Sequence, residues 1–183
     1  MKHLTKSILT SLLLIATVNA NATTISITPS NQEVLIGNQV LLNIFYDTEG
    51  IETTGGAFSV NFDNNAFKFT GIEFDGSLPD DPLFRVFPVA ANVNGSAFNL
   101  GFGSFSGING TGKVATLTFM TEKEGLFDFF LAAPLPGDDS FAEGASYLNA
   151  QVQVNAVPLP AASWLLLSSF ASLVAVRRRK HIA

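Results

Sequence analysis

Hydrophobic and polar positions alternate with period two through most of the chain. Phe58, Val60 and Phe62 are separated by Ser59 and Asn61, Phe67 and Phe69 by Lys68, and Ile72 and Phe74 by Glu73. Phe98, Leu100 and Phe102 enclose Asn99 and Gly101; Ala115, Leu117 and Phe119 enclose Thr116 and Thr118. Ala150, Val152 and Val154 alternate with Gln151, Gln153 and Asn155. Neighbouring side chains on an extended chain point to opposite faces, so this pattern predicts strands with one buried and one wet face. Ile25 and Ile27 predict a further strand. Residues 40–46 are apolar at both parities, which predicts a central strand. Gly37-Asn38, Gly55-Gly56, Asp63-Asn64-Asn65, Asn94-Gly95 and Asn109-Gly110 are turn signals between these runs. No amphipathic helical period occurs in residues 23–156. The chain is thus expected to be all-β over residues 23–156, an antiparallel sandwich in a single domain.

The two ends follow different rules. Lys2, His3 and Lys6 precede an apolar stretch at residues 8–18, and Ala20-Asn21-Ala22 supplies an A-x-A cleavage site. This order predicts a signal peptide over residues 1–22, cut after Ala22 or, as second choice, after Ala20, and hence export through the Sec machinery. At the other end Val157, Pro158, Leu159, Pro160 and Ala161 lead to Trp164. An uncharged run over residues 161–176 follows, then Arg177, Arg178, Arg179 and Lys180. Sixteen residues of helix reach about 24 Å, short of the ~30 Å hydrocarbon core, so the span is marginal and suits transient lodging. The basic cluster is expected to stay on the cytoplasmic side. Residues 157–183, in this order and at the chain end, resemble the PEP-CTERM sorting domain of Gram-negative bacteria in its VPLPA variant. The resemblance implies an inner-membrane intermediate processed by an exosortase, with the protein then at the cell surface or outside the cell. A plain C-terminal membrane anchor is the simpler alternative.

Charge and composition narrow the function of residues 23–156. All 15 acidic residues lie there, against Lys68, Arg85, Lys113 and Lys123, giving a net charge of −11. Nucleic acid is a poor partner for such a surface. The chain has no cysteine, so stability rests on packing rather than disulfides. Sixteen of the 17 Phe fall between Phe45 and Phe141 and supply the candidate core. Both histidines, His3 and His181, fall in the terminal segments. His-dependent nucleophilic sites and His/Cys zinc sites are therefore excluded from the domain. The carboxylate pairs that remain are Asp80-Asp81, Asp138-Asp139 and Glu122 with Glu124. Solvated loop charge is the plain reading of the Asp pairs and calcium binding the sharper one; no other cofactor is implied. A ring platform for sugar is hard to assemble without tryptophan in the domain. Phe84, Phe87, Phe102, Phe105 and the group Phe127, Phe129 and Phe130 exceed what one core needs, and any exposed cluster among them would mark a binding face.

Three segments invite a second resemblance. Residues 33–45 (EVLIGNQVLLNIF) set a glycine turn before a long strand. Residues 56–67 (GAFSVNFDNNAF) set a strand before an Asp turn closed by Phe67. Residues 110–119 (GTGKVATLTF), followed by Gly125, carry a Gly-x-Gly strand. Together they resemble a cohesin domain, which implies a jelly-roll sandwich of about nine strands. Cohesins bind dockerin modules, so the resemblance points to a binding or adhesion role with a polysaccharide or surface-protein ligand. A small carboxylate glycoside hydrolase and a self-assembling structural subunit are the alternatives.

Overall fold

The computed structural model describes residues 23–88, 95–134, 141–158 and 168–169. Among them ten strands build two five-stranded sheets. The strands are β1 (Thr23–Pro29), β2 (Glu33–Leu35), β3 (Gln39–Asp47), β4 (Thr53–Asn61), β5 (Phe67–Phe74), β6 (Ala97–Ile108), β7 (Thr111–Thr121), β8 (Gly125–Ala132), β9 (Ala145–Leu148) and β10 (Ala150–Asn155). One sheet runs β5-β7-β3-β1-β9 and the other β2-β10-β8-β4-β6.

The period-two pattern is what closes the sandwich. Val40, Leu42, Ile44 and Tyr46 of β3 and Leu117 and Phe119 of β7 face inward from the first sheet, and all are buried. Phe58, Val60, Leu100, Phe102 and Phe129 meet them from the second sheet. The sheets interlock through rings: Phe119 lies 5.2 Å from Phe129 and 5.0 Å from Phe62, Phe69 lies 4.7 Å from Phe98, and Tyr46 lies 5.6 Å from Phe102. Offset and edge-on ring pairs of this kind add about 1 kcal/mol each beyond burial.

The expected central strand is β3, paired with β1 and β7. Its outer face is less covered than its composition suggested, with Leu41 and Phe45 exposed. Two other expectations are corrected. Gly55-Gly56 is not a turn: both residues sit inside β4, where the register with β6 shifts between Thr53 and Gly55. Gly55 adopts φ +97°, and a Cβ there would lie 2.2 Å from the Phe102 carbonyl oxygen. The glycines are thus needed for close approach and a bulge. The sheets are also not wholly antiparallel, since β1 pairs with β9 and β2 with β10 in parallel. Two arms of the chain, residues 23–35 and 145–155, run side by side and cross between sheets together, the first at residues 30–32 and the second at Asn149. The Asn149 side-chain oxygen accepts the Leu131 N–H at 2.8 Å and fixes the second crossing. Strand β8, which the sequence pattern did not reveal, does alternate in burial, with Leu126, Asp128 and Phe130 outward and Phe127, Phe129 and Leu131 inward; its apolar outward residues hide the period.

Among the described residues no helix is long and apolar enough to cross a membrane. The signal segment, Leu159 onward through Ala161 and Trp164, and Arg177 to Lys180 lie outside those residues, apart from Ser168 and Ser169.

Candidate functional site

The loop after β5 builds the most distinctive surface of the molecule. It carries Leu78-Pro79-Asp80-Asp81-Pro82, where the acids read as solvated charge or calcium ligands. Leu78 is buried and anchors the start. The Asp80 carboxylate, fully buried, takes two hydrogen bonds from Arg85, from Nε and from Nη2, each 2.8 Å. This fork strengthens the proton's hold on Arg85 and keeps it charged. The same guanidinium lies 4.5 Å above the Phe74 ring. Asp81 acts on the backbone instead. Its Oδ1 accepts the Leu83 N–H at 3.0 Å and so caps the short 3-10 turn Pro82–Phe84. Both acids are therefore engaged within the protein.

The turn is stitched to β6, an edge strand. The Asp81 N–H donates to the Gly103 carbonyl at 2.8 Å, and Val86 and Gly101 exchange both backbone hydrogen bonds at 3.1 and 2.8 Å. Gly101 and Gly103 allow the approach: a Cβ on Gly103 would stand 2.9 Å from the Thr54 carbonyl oxygen and 3.4 Å from Phe84. What projects from this rigid support is apolar. Leu83 is 88% and Phe105 87% exposed, with Phe84, Val86 and Phe87 also in solvent. Phe84 and Phe105 meet edge to face at 4.6 Å, and Phe87 meets Phe74 at 5.6 Å. Between Phe84, Phe105 and the glycines of β4 runs a groove of about 500 Å³.

Of the Phe residues singled out as surplus to a core, Phe84, Phe87, Phe105 and Phe130 are exposed, whereas Phe102 and Phe129 are buried and Phe127 packs against the core. A second, polar hollow of about 710 Å³ lies where the two arms cross, lined among others by Gln32, Glu33, Asp128, Gln151 and Gln153. Gln151 donates to Asp128 there at 2.6 Å. Glu122 and Glu124 are exposed in the turn between β7 and β8. Asp138 and Asp139 lie outside the described residues. Among the described residues no group of three or more His, Cys, Asp or Glu is placed to hold a metal ion.

Neither a family model nor a curated protein sequence matches the chain. Its architecture is nonetheless shared with solved cohesins. It superposes on the seventh ScaB type I cohesin of Pseudobacteroides cellulosolvens with TM-score 0.58 at 16% identity, covering 76% of this chain and 96% of that one. It superposes on one chain of the Coh-OlpC–Doc435 complex, a type I cohesin–dockerin complex of Clostridium thermocellum, with TM-score 0.57 at 13% identity, covering 74% of this chain and 95% of that one. The non-cellulosomal cohesin of the archaeon Archaeoglobus fulgidus gives TM-score 0.53 at 16% identity, covering 78% and 96%. The fold of this chain is cohesin-like.

Proposed function

We propose that the chain is an exported binding protein whose cohesin-like domain engages a protein ligand through the apolar shelf on β6. The observation that carries this reading is the exposed cluster Leu83, Phe84, Val86, Phe87 and Phe105 on a support immobilised by the Asp80–Arg85 fork. Two large apolar side chains almost wholly in water, carried on backbone hydrogen-bonded at β6, offer anchors whose burial would favour binding. Cohesin-fold neighbours caught with dockerins support a protein as ligand. With a domain net charge of −11, a partner with basic residues around an apolar anchor fits best. Export and exosortase processing belong to the same reading and rest on the terminal segments.

A saccharide is the second reading, favoured by the amide and carboxylate lining of the polar hollow. The two separate in one experiment. The exported protein is screened for binding to secreted and surface proteins of the host and to bacterial and plant polysaccharides. The same screen is run with Leu83→Ser/Phe105→Ser and with Asp128→Ala/Gln151→Ala. The shelf variant should lose at least about tenfold in affinity for the bound protein. Loss confined to the hollow variant, with a polysaccharide as ligand, would replace the first reading by the second.

A further inference from the structure

Thr23 opens β1 and is only 2% exposed. Its N–H donates to the Gly144 carbonyl at 3.3 Å, and its Oγ1 donates to Glu143 Oε1 at 2.9 Å. The parallel pairing of β1 with β9 brings residues 143 and 144 there, because Thr23 stands opposite Ala145. The charged groups nearest the start of β1 are acids. Thr24 Oγ1 reaches Glu49 Oε1 at 3.5 Å, and Asp47 stands opposite Thr24 on β3. Lys113 of β7 stands opposite Phe45 and is engaged by Asp75 at 3.2 Å. From β9, Ala145 and Ser146 bring no charge, and the ionisable Tyr147 stands opposite Ile25.

We propose that the processed bond is Ala22–Thr23, and that the α-ammonium freed on Thr23 is received by the Glu143 carboxylate, so that maturation completes the fold. The inference rests on the export reading. Water adds across the peptide bond: Ala22 leaves with the new carboxylate and Thr23 keeps the nitrogen as an ammonium. Where an amide offers one N–H to Gly144, an ammonium offers three donors and a positive charge beside Glu143, on a strand end where Glu49 and Asp47 flank Thr24. A cut after Ala20 would instead leave the ammonium on Asn21, two residues from this acidic setting. Because Thr23 is buried once β1 lies beside β9, the signal peptidase acts before that docking. The chain order permits it, since β9 is made last but one.

The test is to export the full chain, isolate the processed protein, read its first residue and melt it beside Glu143→Gln. Glutamine keeps an acceptor for Thr23 Oγ1 but removes the charge. The expected first residue is Thr23, with E143Q lowering Tm by about 3 °C at pH 6. An acidic partner raises the folded-state pKa of the amine. Its stabilisation is therefore full below the unfolded amine value, about 8, and lost as pH rises through the folded one. The Tm gap should accordingly close above roughly pH 9. A chain retaining Asn21 and Ala22 should show no pH-dependent gap. A mature terminus at Asn21, or a gap indifferent to pH, overturns the proposal while leaving export intact. A chain still beginning at Met1 overturns the export reading with it.

Discussion

Asp75 shows how a single side chain couples this fold to pH. It follows β5, accepts the Ser77 hydroxyl and the Ser77 N–H, the latter at 2.9 Å, and pairs with Lys113 at 3.2 Å. Those hydrogen bonds, the hydroxyl foremost and Lys113 after them, hold its carboxyl down to about 2. A depressed folded-state value stabilises above the unfolded value, near 4, and the benefit is lost as pH falls through the folded one. Asp75→Asn should therefore lower Tm at pH 7, and the difference from the native chain should vanish between about pH 4 and pH 2 in a series of thermal melts. Asp80 and Asp81 meet different partners despite their adjacency. One is forked by Arg85 and the other caps a turn. The sequence shows two neighbouring acids; which cation, ring and N–H they meet depends on how Phe74 and β6 are placed.

At the level of elements, the glycines of β4 and β6 decide whether the shelf can form. They let the loop after β5 and the segment at Phe141 lie directly on the second sheet. A Cβ on Gly56 would stand 2.6 Å from the Phe141 nitrogen and 2.8 Å from its ring. At Gly55 the left-handed φ adds backbone strain to the clash with Phe102. Gly55→Ala is expected to cost about 3 kcal/mol in urea unfolding. Gly71→Ala, with open space at its Cβ, should cost far less. Equal losses at the two positions would show that local propensity, not close approach, sets the requirement.

For the whole molecule, the two parallel arms join the first strands to the last, and β10 ends at Asn155, two residues before Val157. The cohesin-like domain therefore ends two residues before the Val157–Ala161 segment proposed as the sorting motif. Pro158→Ala with Pro160→Ala is expected to leave the full-length chain in the inner-membrane fraction, seen by immunoblot; normal processing of that variant would show that the motif has been misread. The sequence by itself determined the all-β class and the inward set of β4, β6, β7 and β10. It also determined the acidic charge and the absence of His and Cys chemistry, because alternation and composition are local properties. Tertiary structure alone decided that β8 is a strand, that Gly55-Gly56 is a bulge, and that the arms pair in parallel. It alone separated the Phe residues that fill the core from those that stand in water. An aromatic at either parity of a strand looks the same in a sequence. Only the position of the opposing sheet, and of the loop pinned by Arg85, determines which side is covered.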